Sequence, residues 1–165
     1  MNRLILLRHG KAERGAASGE DFDRDLAGRG ARETASTAMA LKSQGFVPDV
    51  ALVSSSARTR QTWAAAASAF PGTEVRFDER LYHAEASLIR RVADEARVPG
   101  TVMVVGHNPG LHDLVVRLVA EQGDDPELMF RARRGFPTSA AAVFAFDGDG
   151  GPRCEALIMR KEGWD

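Results

Sequence analysis

The sequence predicts a three-layer α/β/α sandwich on a mostly parallel central sheet, and three observations carry that prediction. Short apolar runs alternate with amphipathic helical patterns four times along the chain, as strands joined by crossover helices do. The runs are nearly continuous in apolar residues, which suits strands covered on both faces. Three of them end abruptly in polar segments carrying Arg8-His9, Ser54 to Arg58 and Gly106-His107-Asn108. In open α/β sheets, ligands bind outside the carboxyl ends of the strands.

The first strand is Leu4-Ile5-Leu6-Leu7, and it breaks off at Arg8-His9-Gly10. Gly10 lets the backbone turn sharply or approach a ligand. The polar segment that follows, through Asp25, has no sustained periodicity and reads as a surface loop near the strand's end, placed to cover a site. Ala31, Ala35, Ala38 and Met39 then make a helical stripe, stopped by Gly45 and Pro48. A second strand at 50–53 leads into Ser54, Ser55 and Ser56, any of which suits the cap of a helix over 57–69 with Arg58 in its first turn.

A third strand at 75–77 precedes Leu81-Tyr82-His83-Ala84-Glu85 and a helix with Leu88, Ile89, Val92, Ala93 and Ala96 on one face. Pro99-Gly100 ends it. The fourth strand, 101–105, turns through Gly106-His107-Asn108-Pro109 into a helix lined by Leu111, Leu114, Val115 and Leu118. Asn108 is placed as its N-cap and Pro109 as its first residue. Residues 123–138 form an excursion with a short helix after Pro126. Strands at 141–146 and 155–159, joined by a Gly-rich loop at 147–152, leave room for an antiparallel edge.

The 165 residues predict one domain over 1–165, long enough for a sizeable core. A net charge of -1 provides no global field for nucleic acid or an anionic membrane. Arg131, Arg133 and Arg134 form a small basic cluster, read as a solvated loop face. The single cysteine, Cys154, fits a reducing cytoplasm, and no run has the length of a signal peptide or a membrane span.

Phosphoryl transfer spreads charge over three oxygens, so it needs fixed positive donors and a nucleophile in line with the leaving group. Arg8 and Arg58 can each clamp oxygens through two N–H groups. His9 can attack phosphorus as a neutral imidazole, a form favoured by the neighbouring cations. His107, ahead of a helix N-terminus, can donate to another oxygen, with Asn108 beside it as a further phosphate-binding candidate. Neither a metal nor another cofactor is needed.

These segments resemble the histidine phosphatase (phosphoglycerate mutase-like) superfamily, and in its small size the chain is similar to the SixA-type phosphohistidine phosphatases. Leu7-Arg8-His9-Gly10-Lys11-Ala12 resembles the RHGxA signature, which implies that His9 is phosphorylated during turnover. The stretch from Ser54 to Thr62 resembles SPxxRAxQT and implies that Arg58 is the second phosphate-binding arginine. Val105-Gly106-His107-Asn108-Pro109 resembles the second-histidine motif. Asp23-Arg24-Asp25-Leu26-Ala27-Gly28-Arg29-Gly30 resembles a DxxRPLTxxG stretch, which implies that Arg24 also reaches the phosphate. Phe136-Pro137-Thr138 resembles a late FPT segment. The resemblance implies a phosphohistidine-bearing signalling or phosphotransfer protein as substrate, or alternatively a small phosphate ester, with inorganic phosphate as product.

The chain also departs from the pattern. Ser55 and Asp25 stand where it prefers proline. After Leu81-Tyr82, where mutase-like relatives carry a glutamate proton donor, this chain has His83, with Glu85 two residues on. Both stand as candidates for the general acid, and the sequence leaves the choice open. The bland alternatives are a solvent-facing loop histidine for His83, a partly exposed helical one for His112, and a surface arginine for Arg24. A metallohydrolase would need a spacing such as HExxH, which the four histidines do not make. A non-catalytic phosphate or phosphoprotein sensor would share the same clamp.

Overall fold

The computed structural model of the chain describes residues 1–146, 148 and 151–159. Its elements are β1 (Arg3–Arg8), α1 (Gly28–Ser43), β2 (Val50–Ser54), α2 (Ala57–Ala66), β3 (Glu74–Asp78), α3 (Ala86–Glu95), β4 (Thr101–Gly106), α4 (Gly110–Gln122), α5 (Pro126–Arg134), β5 (Ala141–Ala145) and β6 (Arg153–Ile158). Single 3-10 turns lie at Asp21–Asp23, Ala67–Ala69 and Glu79–Leu81.

The strands form one six-stranded sheet in the order β3-β2-β4-β1-β5-β6. The β1–β4, β2–β4 and β2–β3 pairs are parallel, whereas β5 runs antiparallel to β1, and β6 to β5. Alternation along each strand feeds two cores. Leu4, Leu6, Val102 and Val104 pack toward α3, α4 and α5, while Ile5, Leu7, Met103 and Val105 pack toward α1 and α2. All eight are fully buried, and burial stabilises each by about 1.5–3 kcal/mol.

Register places the chemistry. Leu7 lies opposite Val105 and Arg8 opposite Gly106, while Val53 also lies opposite Val105. The carboxyl ends of β1, β2 and β4 therefore stand side by side, and the chain leaving each carries one of the polar motifs.

Several elements differ from the sequence expectation. The buried face of α1 is Gly30, Thr34, Thr37, Ala38 and Leu41, and Met39 is 57% exposed. Polar partners and close backbone contact set that face. Thr34 Oγ1 lies 3.0 Å from Ser139 Oγ, and Thr37 Oγ1 donates to the Ser139 carbonyl at 2.7 Å. A Cβ on Gly30 would collide with the Lys11 carbonyl oxygen.

Helix α2 stops at Ala66 and gives way to the 3-10 turn at Ala67–Ala69. Helix α4 begins at Gly110, after Pro109, with no side-chain cap; the Asn108 side chain donates to the Phe136 carbonyl at 2.8 Å, and its Oδ1 caps nothing among the described residues. Arg131, Arg133 and Arg134 lie in the last turn of α5, where cations favour the helix's negative end, and not in a loop. The expected loop at 147–152 falls partly outside the described residues.

Candidate active site

Arg8, His9, Arg58 and His107 line one open cavity of about 400 Å³, with Lys11, Asp21, Arg24, His83, Asn108 and Thr138 among its other walls. Local hydrogen bonds hold the pieces together. The His9 amide donates to the Gly106 carbonyl at 3.1 Å, continuing the β1–β4 pairing past the strand, and the Ser139 amide donates to the His9 carbonyl at 3.1 Å. The Gly10 amide donates to Thr62 Oγ1 at 3.0 Å, while that hydroxyl donates to the Arg58 carbonyl at 2.7 Å. Gln61 accepts from the Leu26 amide at 2.6 Å and donates to Asp25 Oδ1 at 2.8 Å. Gln61 and Thr62 thus tie the loop after β1 to α2.

His9 Nδ1 lies 2.7 Å from the Gly10 carbonyl oxygen. A carbonyl only accepts, so Nδ1 carries the hydrogen and Nε2 keeps its lone pair. Burial first, and then the charges of Arg58, Arg8 and Arg24, lower the His9 pKa to about 4, against the opposing Gly10 bond. The ring is therefore neutral at pH 7.

His107 holds the other tautomer. Its Nδ1 lies 3.4 Å from Arg58 Nη2, and its Nε2 lies 2.8 Å from Ser54 Oγ. A guanidinium only donates, so Nδ1 accepts and Nε2–H donates to the serine. Burial, with His9 and Arg58 next, lowers its pKa to about 2. In this arrangement the Arg58-facing nitrogen is an acceptor. Donation to an oxyanion, the role expected from sequence, requires a proton at Nδ1.

The arginines are held from behind. Arg8 Nη1 donates to the Phe136 carbonyl at 3.1 Å, while its buried Nε has no partner among the described residues. Its Nη2 makes no hydrogen bond among the described residues and remains for a ligand. Arg58, only 3% exposed, donates from Nη1 to the Asp21 carbonyl at 2.9 Å and from Nη2 to Asp21 Oδ2 at 3.0 Å. Arg24 donates from Nε to the Glu13 carbonyl and from Nη1 to Asp21 Oδ1, both at 2.8 Å. Asn108 lies at the cavity, with Nδ2 engaged by Phe136 and its buried Oδ1 lacking a partner among the described residues.

Asp21 escaped the sequence reading. Besides the two arginines, its Oδ2 accepts from the Tyr82 hydroxyl at 2.6 Å and lies 3.3 Å from His83 Nε2. The Tyr82 bond above all, then Arg24, holds its carboxyl well below the ordinary carboxylate range. Its signal was present as the acidic residue three positions before Arg24, the DxxR spacing.

Of the two general-acid candidates, His83 lies at the cavity, in a left-handed conformation with φ 53°. Glu85 is not among the cavity's lining residues and occupies the N-cap of α3. His112 also lies away from the cavity, with Nε2–H donating to the Ala132 carbonyl at 2.8 Å. Among the described residues no group of three or more His, Cys, Asp and Glu side chains is placed to hold a metal ion. No helix among them is long and apolar enough to cross a membrane.

A mostly parallel sheet with helices on both faces and its polar cluster at the carboxyl ends of the strands is the phosphoglycerate mutase-like architecture. The chain belongs to the Histidine phosphatase superfamily (branch 1), whose sequence profile matches residues 4–90. An uncharacterized protein of Mycobacterium tuberculosis is 36% identical over 145 residues, spanning 84% of this chain and 88% of the relative. A candidate phosphohistidine phosphatase SixA from Agrobacterium tumefaciens superposes with a TM-score of 0.84 at 30% identity, covering 96% of this chain and 98% of the other. The protein histidine phosphatase SixA complexed with tungstate gives a TM-score of 0.72 at 25% identity, covering 94% and 96%.

Proposed function

We propose that this protein is a phosphatase that works without a metal through a phosphohistidine at His9, acting on phosphohistidine in a signalling or phosphotransfer protein. The observation that carries the reading is the state of His9. Its ring is neutral, its Nδ1–H is anchored on the Gly10 carbonyl, and its Nε2 lone pair is left for phosphorus in a cavity lined by Arg8, Arg24 and Arg58.

Three guanidinium groups supply the fixed charge that a transferring phosphoryl group needs. Nε2 attacks phosphorus, the bond to the leaving group breaks, and the pair of electrons goes to the leaving atom. The Nδ1–H retained by Gly10 keeps phosphorylated His9 cationic and prone to give its phosphoryl group to water. Water then adds to phosphorus, and neutral His9 and inorganic phosphate are released. Among relatives, a SixA phosphatase that binds tungstate, a tetrahedral oxyanion, supports the same reading.

Rapid quenching into alkali during turnover of a radiolabelled phosphohistidine protein, with excess EDTA throughout, tests it. Wild type carries a base-stable, acid-labile label that is absent from His9→Ala, and turnover in that variant falls at least about 10³-fold. An unlabelled wild-type enzyme, or a rate that vanishes in EDTA and returns with one metal, overturns the mechanism.

A further inference from the structure

Asp21 is an anion at the wall of a cavity built of cations, and the phosphoryl chemistry above does not use it. Its carboxylate is exposed enough to meet a ligand, with 43% of the side chain accessible. Arg24 and Arg58 offset part of its charge, and what remains favours a substrate that brings positive charge to the Tyr82 and His83 side of the carboxylate.

The ring positions show which part of a substrate that is. The His9 and His107 rings are 5.3 Å apart, and the His107 and His83 rings are also 5.3 Å apart. Asp21 meets His83 and Tyr82, whose rings pack on His107 at 5.3 and 5.4 Å, and among the described residues neither ring packs on His9 itself. An in-line displacement sends its leaving group away from His9.

The same corner already seats an imidazole. The His83 ring packs on Tyr82 with centroids 4.1 Å apart, and its Nε2 faces Asp21 Oδ2 at 3.3 Å. Its side chain is 53% exposed, and no other hydrogen bond of its ring is found among the described residues. A substrate imidazole that displaces this ring meets an aromatic face and a carboxylate acceptor.

We propose that Asp21, with Tyr82, is the subsite for the leaving group of an N-phosphorylated substrate, accepting a hydrogen bond from the protonated nitrogen of a cationic phosphoimidazole. The inference rests on the phosphohistidine reading above and names the residue that selects for it. The substrate ring enters protonated on the nitrogen that bears no phosphoryl group. His9 Nε2 bonds to phosphorus, the P–N bond breaks, and its electron pair returns to the ring nitrogen. A neutral imidazole departs with its N–H still on Asp21, and the positive charge passes to phosphorylated His9. An alkyl ester has no such cation and leaves as a strong base without help from an ionised carboxylate.

The experiment compares kcat/KM for a phosphohistidine peptide, the same peptide carrying phosphoserine, and p-nitrophenyl phosphate, in wild type, Asp21→Asn and Asp21→Glu. The ratio of phosphohistidine to aryl phosphate is expected to fall about 10- to 100-fold in Asp21→Asn, the worth of one hydrogen bond to a charged group. Asp21→Glu, which keeps the charge, is expected to restore part of it. If all rates fall together and the ratio stays fixed, Asp21 only positions Arg58 and the inference is overturned. A ratio that does not move at unchanged rates overturns it equally. A wild-type enzyme that cleaves the esters but not phosphohistidine overturns the proposed substrate and this subsite together.

Discussion

His9 and His107, with rings 5.3 Å apart and tilted by 57°, hold opposite tautomers. His9 keeps its hydrogen on Nδ1 against the Gly10 carbonyl, and His107 keeps its own on Nε2 against Ser54. Each assignment follows from a partner on the ring that can only accept or only donate. The pair therefore differs in what it offers, with the His9 lone pair left free for the attack proposed above and the His107 lone pair bound to Arg58.

An oxyanion that draws Arg58 onto itself leaves His107 Nδ1 facing negative charge, which favours a proton there. A neighbouring opposite charge raises a pKa by about 1–3 units, so from about 2 the rise reaches about 5, and sulfate binding to a His9→Gln variant at pH 5 should take up as much as about half a proton. Calorimetry in buffers of different ionisation enthalpy reads the number directly. Equal heats in all buffers would show that His107 stays neutral, and the uptake should disappear once His107→Gln is added.

Acid should destabilise the fold in a defined window. The folded pKa of His9 is lowered from 6.5 to about 4, so the unfolded chain binds the proton first as pH falls. The stabilisation is fully present above pH 6.5, is lost as pH falls toward 4, and changes no further once the folded state also protonates. His107, lowered to about 2, extends the loss to lower pH. Each histidine contributes a slope of up to about 1.4 kcal/mol per pH unit. Urea unfolding between pH 7 and pH 4.5 should show a shallower slope in His9→Gln/His107→Gln than in wild type; parallel slopes would contradict this.

Gly10 and Gly30 bring the loop after β1 against α1. A Cβ on Gly10 would lie 2.6 Å from the Gly30 carbonyl oxygen. Gly30→Ala should destabilise by about 1–3 kcal/mol through overpacking and lower turnover by moving Lys11 and its neighbours. Gly72→Ala serves as control, since a Cβ there meets nothing within 4 Å. Equal urea midpoints for the two variants would remove Gly30 from the scaffold of the site.

Much of the architecture was legible because strand-borne apolar runs report burial on both faces. Leu4 to Leu7 and the valines of β4 could sit nowhere else, and the residues that follow them inherit a place at the carboxyl ends of a parallel sheet. The gathering of Arg8, His9, Arg58 and His107 at one cavity was legible for that reason together with motif spacing.

The buried face of α1 was not legible, since Thr34 and Thr37 are buried only because Ser139, more than a hundred residues away, is there to bond them. Periodicity counts apolar residues and is blind to a polar pair completed by folding.

The rank of the loop residues was likewise decided in three dimensions. Glu85 is a carboxylate near the right motif, but the backbone carries it to the cap of α3. His83 reaches the cavity from two positions earlier. Asp21 looks like any acidic residue of a solvated loop until tertiary contacts set two guanidinium groups, a phenol and an imidazole around it. By itself, the sequence determined the sheet and which side chains leave its strand ends, because burial patterns are local. Only the tertiary structure decided tautomers, charge states and the partners of Asp21, because electrostatics depends on distances between groups far apart in the chain.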